Sequence, residues 1–320
     1  MTITAQRPLT SRVQATNAPL ADDLSAAMAS RRLAGLVVNG LGWASMAMTV
    51  VLFATESPLA RFSDLGSSLN SVGIVAGLVA TNALLLMVLL AARVPLVDRA
   101  LGQPAAVALH RKLGNWVVGG LGVHAGFVLI GGAVLDGADL FSEFGLLWDS
   151  TTDFMLAVAG MALLLVVIVS SIAAARRRLP YEVWHVIHLL GYAAVGLAIP
   201  HMFSMSGLLG EGSWQRTYWV ALLSVTGAAL LVFRFVKPMV ASLRHDLVVA
   251  AITPAGSDAF SIEFSGRHLD ALHAQAGQYL HWRFLSRGLW WQQHPFSLSA
   301  TPTSDRLRIT VRGLGRGSRA

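Results

Sequence analysis

Six long stretches of this chain contain no Asp, Glu, Lys or Arg, and they constrain its fold more than any other feature of the sequence. They cover residues 33–55, 65–92, 113–135, 154–175, 183–210 and 217–233. A helix needs about 20 apolar residues to cross the hydrocarbon core of a bilayer, with about 17 as the lower limit. Each stretch meets that length, so the sequence predicts an all-α bundle of six transmembrane helices.

Composition supports a membrane protein. Hydrophobic residues make up 54% of the 320 residues and charged residues 13%, about half of the roughly 25% charged residues found in soluble domains. The net charge of +7 raises the possibility of nucleic-acid binding, but that function requires a basic face on a folded domain. Here the basic residues flank the spans. We therefore expect membrane lipid as a partner and no nucleic acid.

The basic clusters also predict the topology. They precede span one, separate spans two and three, and follow spans four and six, whereas loop 136–153 has five acidic residues and no Lys or Arg. Loops rich in Lys and Arg stay in the cytoplasm. This distribution predicts a multi-pass protein of the cell membrane with both termini cytoplasmic. The chain has no cysteine, which excludes iron–sulfur clusters and thiolate metal sites.

The chain divides into three parts. Residues 1–30 are predicted to be a cytoplasmic tail, and residues 31–237 hold the six helices. From residue 244 the pattern changes to alternating apolar and polar residues, with strands predicted at 261–265, 277–285 and 306–312. Alternation of this kind with Gly and Pro punctuation is typical of β-structure. We expect 244–320 to form a partial antiparallel β-barrel on the cytoplasmic side.

Three histidines lie in two of the spans, where an ionisable side chain is costly and usually functional, and a fourth, His110, lies at the inner mouth of the third helix. His110 and His124 belong to span three, about 21 Å apart along a helix and within about 40° of the same face. His188 and His201 belong to span five, about 19.5 Å apart. Both spans run outward, so His110 matches His188 in depth and His124 matches His201. Two such pairs suit two haem b groups, each with two axial imidazoles.

Two alternatives concern these histidines. Each one can instead form a hydrogen bond that bridges two helices. His185 is a rival to His188 as the inner ligand, three residues earlier in span five. His201 is about 140° away from His188 on an ideal helix, and Pro200 is expected to distort the helix and re-aim it.

One motif in the β-region resembles a known family. The run Gln293-His294-Pro295-Phe296-Ser297-Leu298-Ser299 resembles the H-P-F-[ST]-L-[ST] flavin motif of transmembrane ferric reductases and NADPH oxidases. The runs Leu109-His110-Arg111-Lys112-Leu113-Gly114 and Tyr181-Glu182-Val183-Trp184 are similar to that family as well. The resemblance covers about residues 35–316.

The resemblance implies an FAD-binding domain of the ferredoxin-reductase type, which passes single electrons to the inner and then the outer haem. It implies that NAD(P)H is the cytoplasmic donor and that a ferric chelate or dioxygen is the acceptor outside. Carried over to this sequence, His294, Pro295, Phe296 and Ser297 would contact the isoalloxazine and ribityl portions of FAD. Arg312 would contact the pyrophosphate, since a guanidinium can bind phosphate oxygens in a fork.

The family pattern continues with a nicotinamide-binding domain, which this sequence does not reach before Ala320. We therefore expect either a fragment of a longer protein or electrons supplied by a separate reductase. Two other functions stay open. One is a haem-binding membrane subunit that serves a dedicated partner reductase, and flavin content discriminates it. The other is a non-redox membrane protein with helix-bridging histidines, which would show no haem absorbance.

Overall fold

A computed structural model of the chain describes residues 18–55, 60–172, 176–205, 207–285 and 294–313. In these residues the helices, in chain order, are α1 (Ala18–Ala54), α2 (Leu65–Ala91), α3 (Pro95–Leu101), α4 (Gln103–Asp136), α5 (Leu140–Ser150), α6 (Thr152–Ser171), α7 (Tyr181–Met205), α8 (Trp214–Leu230) and α9 (Lys237–His245). A π-helical segment, Leu231–Val236, joins α8 to α9 without a break.

The described residues contain six helical segments that are long and apolar enough to cross a membrane. They are Met28–Ala54 within α1, then α2, α4, α6, α7, and the continuous run Trp214–His245. Each one overlaps one of the six uncharged stretches, so the predicted six-helix transmembrane fold is confirmed. Helix α1 begins at Ala18, inside the predicted tail, and residues 1–17 lie outside the described part.

Several helices begin where the sequence supplies a capping side chain. Asp64 Oδ1 accepts a hydrogen bond from the backbone N–H of Ser67 at 2.8 Å, at the start of α2. Thr151 Oγ1 accepts one from Phe154 N–H at 3.2 Å, at the start of α6. Side chains of this type satisfy backbone N–H groups that the first helical turn leaves without partners. The loops before spans two and four therefore define where these helices start.

The structure separates into two compact units: one holds residues up to Gly145 together with Trp219–Thr226, and the other holds Leu146–Tyr218 and Gly227 onward. In the first unit, α2 and α4 pack backbone to backbone through glycines. A methyl group added to Gly131 would lie 2.7 Å from the backbone nitrogen of Asn70 and 2.8 Å from the carbonyl oxygen of Gly66. Small residues allow this close approach between membrane helices.

A buried amide joins α1 to α2 in the same unit. The Asn82 side chain is fully buried and donates hydrogen bonds to the Ser45 carbonyl at 3.1 Å and to Thr49 Oγ1 at 2.7 Å. Inside a bilayer the protein must satisfy such polar groups itself, because lipid tails cannot. This contact fixes how the first two membrane helices meet.

The short helix α5 carries a buried acid outside the spans. Glu143 is only 5% exposed, and its carboxyl group lies against Gly132 of α4. Burial, followed by the negative charge of Asp136, raises the pKa of the Glu143 carboxyl above its ordinary value. The neutral form of Glu143 is therefore the one that the fold stabilises.

The second unit contains the β-domain. Its strands are β1 (Val248–Gly256), β2 (Ala259–Ser265), β3 (Tyr279–Trp282), β4 (His294–Ser297) and β5 (Arg306–Arg312). One antiparallel sheet has the order β1-β2-β5, a second pairs β3 with β4, and a bridge between Leu298 and Ile309 connects the two. The predicted small antiparallel β-domain after the helices, a partial barrel, is thus confirmed.

The core of the β-domain follows from alternation along its strands. Strand β5 exposes and buries its residues in turn, and Leu307, Ile309 and Val311 face the core. The other core side chains are Phe264, Leu269, Trp282 and Leu298. The predicted strands at 261–265 and 306–312 match β2 and β5. The third strand is shorter than predicted, because Gly277 adopts a positive φ of 80° in a turn and pairing begins only at Tyr279.

We predict that Gly131→Ala weakens the contact between α2 and α4. The added methyl meets backbone atoms that have no side-chain freedom to move, so the expected loss in unfolding free energy is about 1–3 kcal/mol. Thermal unfolding of the protein in detergent micelles measures this change. The matched control is Gly122→Ala, on the same helix, where a methyl meets no atom within 4 Å. Equal midpoints for the two variants would contradict the packing described.

We also predict that Glu143→Gln removes a pH dependence of stability. The pKa of Glu143 is raised in the folded state, so the folded protein keeps this proton after the unfolded chain has lost it. The stability from the neutral carboxyl is complete below the unfolded pKa of about 4.3 and declines as pH rises through the folded pKa. In thermal unfolding between about pH 4 and pH 8, the stability of the variant relative to the wild type should increase as pH rises. For comparison, Glu211→Gln at an exposed position should follow the wild type at every pH.

Candidate functional site

His124 is held against α2 by its Nδ1 nitrogen. Nδ1 lies 3.0 Å from the carbonyl oxygen of Gly73, and because a carbonyl only accepts, this nitrogen must carry the proton. Gly77 faces the same ring, and a methyl group at that position would lie 2.6 Å from Nδ1. The absence of a side chain at Gly77 therefore makes room for the imidazole.

His110, which lies earlier on α4, makes the same kind of contact as His124. Its Nδ1 lies 3.2 Å from the carbonyl oxygen of Met87, again a backbone acceptor on α2. Both histidines of α4 thus donate from Nδ1, which places the acceptor lone pair on Nε2. A histidine that ligates a metal usually donates its other ring N–H to a carbonyl or carboxylate in this way.

On α7, His188 and His185 have different surroundings. The His188 ring stacks on Trp184, with centroids 4.9 Å apart and planes 26° apart, and its Nδ1 lies 3.4 Å from Ser171 Oγ on α6. His185 stacks instead on Tyr181, with centroids 5.8 Å apart. Among the described hydrogen bonds, His188 makes the one to α6. This contact favours His188 over His185 as the inner ligand.

His201 lies near the other end of α7. Its Nδ1 is 3.1 Å from the sulfur of Met205, and a thioether sulfur can only accept. The Thr151 hydroxyl also approaches this sulfur, at 3.8 Å, and the Phe154 ring lies 6.2 Å from the His201 ring. Helix α7 continues through Pro200, so His188 and His201 share one helix.

Each unit supplies two histidines whose Nδ1 contacts are compatible with metal ligation through Nε2. His110 and His124 belong to the first unit, and His188 and His201 to the second. No group of three or more His, Cys, Asp or Glu side chains comes together in the part of the chain that the structure describes. A haem iron needs only two protein ligands, because the porphyrin supplies the other four. The pairing of imidazoles between the two units remains a prediction.

The flavin motif occupies strand β4. His294 stacks on Phe296, with ring centroids 5.8 Å apart and planes 10° apart, and both are half-buried, whereas Pro295 and Ser297 are exposed. His294 Nε2 is buried and has no hydrogen-bond partner among the residues that the structure describes. Trp282 Nε1 donates to the Phe296 carbonyl at 3.3 Å, which ties β4 to β3. Gln293 lies outside the described residues.

Arg312 lies at the end of β5, in the other sheet. It pairs with Ala259 of β2, and its side chain is exposed. The connection between its sheet and the motif is the bridge from Leu298 to Ile309. The structure thus presents an exposed guanidinium and an exposed edge of the motif, and leaves their common contact with a flavin as a prediction.

Sequence reasoning missed the partners of the imidazoles. Met205 could have been predicted as a partner of His201, because it follows His201 by four residues and such pairs are neighbours on a helix. Gly73, Gly77 and the Met87 carbonyl could not be found in this way, since they depend on which face of α2 meets α4. Ser171 depends in the same manner on how α6 meets α7.

Two family models match the chain. The ferric reductase like transmembrane component matches residues 76–199, and an FAD-binding domain matches residues 244–319. The first match contains His110, His124 and His188 and ends two residues before His201. The second contains the whole H-P-F-S-L-S run and Arg312. Together they cover more than half of the chain.

A comparison with individual curated proteins gives no significant match. The two family matches fit the six apolar helices and the β-domain that follows them. They support an oxidoreductase that binds FAD and transfers electrons across a membrane. The chain belongs to the family of transmembrane ferric reductases and NADPH oxidases.

Proposed function

We propose that the protein moves electrons one at a time from FAD in the β-domain, through two haem b groups among the membrane helices, to an acceptor on the far side. The observation that carries the proposal is the state of the four imidazoles. Each has its Nδ1 beside an oxygen or sulfur atom of its own unit, as is usual for a histidine that binds a metal through Nε2.

In this proposal His110 and His188 hold the inner haem, and His124 and His201 hold the outer one. The two histidines of α4 are about 21 Å apart along the helix axis and those of α7 about 19.5 Å, so each helix serves both levels. Haem, when bound, supplies a centre that gains and loses one electron. With two imidazoles of the protein holding each haem, the group would serve electron transfer rather than the binding of dioxygen to the metal.

At the β-domain, the exposed face of β4 is the proposed flavin contact. Pro295 has a fixed backbone angle and no N–H, which suits a flat surface for the ring, and Ser297 offers a hydroxyl. His294 and Phe296, whose rings stack on each other and are half-buried, complete the proposed contact with the flavin. The exposed guanidinium of Arg312 would bind the pyrophosphate.

The donor, the acceptor and the location complete the proposal. We propose NAD(P)H as the source of electrons, delivered by a nicotinamide-binding domain or by a separate reductase, and a ferric chelate or dioxygen as the acceptor. The basic loops favour a cytoplasmic position for both termini, and the cell membrane is the proposed location. Among the alternatives, a membrane subunit that serves a partner reductase without its own flavin would be purified with haem and no FAD.

The absorbance spectrum tests the haem proposal. Purified protein should show a low-spin spectrum with about two haems per chain. His124→Ala and His110→Ala should each remove one haem, because each loses an axial ligand. On α7, His188→Ala should remove one haem and His185→Ala none, which makes the two neighbouring variants matched controls. A wild-type spectrum with a single haem that neither α4 substitution changes would contradict the proposal.

Gly77→Ala should affect the outer haem although His124 is still present. The new methyl would lie 2.6 Å from Nδ1 of that histidine, so the imidazole must leave the Gly73 carbonyl and tilt. We expect loss of one haem or a changed spectrum for that haem. The control is again Gly122→Ala, which adds a methyl to the same pair of helices without contact within 4 Å. A haem content and a spectrum both equal to those of the control would show that Gly77 does not shape this site.

A further inference from the structure

Two neighbouring serines at the end of α6 donate a hydrogen bond to the same backbone carbonyl. Ser170 Oγ donates to the carbonyl oxygen of Val167 at 2.9 Å, and Ser171 Oγ donates to the same carbonyl at 2.7 Å. Back-bonding of this kind within a helix is common for serine. It also uses the single proton that each hydroxyl has.

Ser171 has two further contacts that Ser170 lacks among the described hydrogen bonds. Trp184 Nε1 lies 3.3 Å from Ser171 Oγ and His188 Nδ1 lies 3.4 Å from it. Since the hydroxyl proton is engaged at Val167, the oxygen must accept at both contacts. The indole can only donate, which agrees. His188 therefore donates from Nδ1 to a side-chain oxygen.

Trp184 fixes the same imidazole from another direction. Its ring stacks on His188 at 4.9 Å, and the Arg176 guanidinium lies 4.7 Å from the centroid of the indole. The indole is thus held by a hydrogen bond to Ser171 and by a cation. Ser171 consequently acts on His188 twice, directly at Nδ1 and through the ring that stacks on it.

We infer that Ser171 is a positioning residue for the inner haem, which sets both the orientation and the basicity of the His188 ligand. This inference rests on the proposed function. A hydrogen bond donated from Nδ1 raises the basicity of Nε2 as a ligand, which favours the ferric over the ferrous state. Ser171 therefore lowers the reduction potential of the haem that His188 binds.

The experiment compares Ser171→Ala with Ser170→Ala in the full chain in detergent or nanodiscs. Both variants lose one hydroxyl and one back-bond to Val167, so the difference between them isolates the contacts to His188 and Trp184. We expect Ser171→Ala to shift the midpoint potential of one haem upward, to change the electron paramagnetic resonance g-values of that haem, or to release it. The other haem should keep its potential. Ser171→Thr, which retains the hydroxyl, should restore the wild-type values.

Two results would overturn the inference while leaving the haem proposal intact. One is a Ser171→Ala protein with two haems whose potentials and g-values equal those of Ser170→Ala. The other is a Ser171→Thr protein that behaves like Ser171→Ala, since the hydroxyl would then be irrelevant. A wild-type protein purified without haem is a different failure, because it removes the proposed function before any variant is made.

Discussion

The need of a polar group for a partner inside a bilayer is the constraint on which the rest of this structure depends. Lipid tails accept no hydrogen bonds, so every imidazole N–H within a span must find an oxygen or a sulfur on the protein. Here the acceptors are two backbone carbonyls of α2, a serine of α6 and a methionine of α7. With the Nδ1 proton directed at such an acceptor, the lone pair of the imidazole lies on Nε2, which is compatible with the proposed haem ligation.

Glycine provides the space that this arrangement requires. The carbonyl of Gly73 reaches His124 only because α2 and α4 approach with their backbones in contact, as Gly66 and Gly131 show. The same close packing exposes main-chain oxygens to a neighbouring helix. The close packing of α2 against α4 and the contact of His124 with the Gly73 carbonyl therefore both depend on small residues in spans two and three.

Much of the fold followed from the sequence, and the reasons are physical. Charge-free stretches of sufficient length have one structure available to them in a bilayer, so six helices could be predicted with their approximate bounds. Alternation predicted β2 and β5, because β5 buries one face along its length and β2 buries Phe264 and half-buries Ile262 on one face. Strand β1 was missed, since it is an edge strand exposed along nearly its whole length. It also contains Pro254, which is tolerated at such an edge. The imidazole partners were beyond reach because they depend on the rotation of each helix about its axis.

The four acceptors differ in how they can change during evolution. His110 and His124 donate to main-chain oxygens, which every amino acid supplies and which a point mutation does not delete. His188 and His201 donate to the side chains of Ser171 and Met205, which a single codon can replace. One helix thus presents imidazoles whose hydrogen-bond acceptors cannot be deleted by substitution, and the other presents imidazoles whose acceptors natural variation can change without altering a histidine.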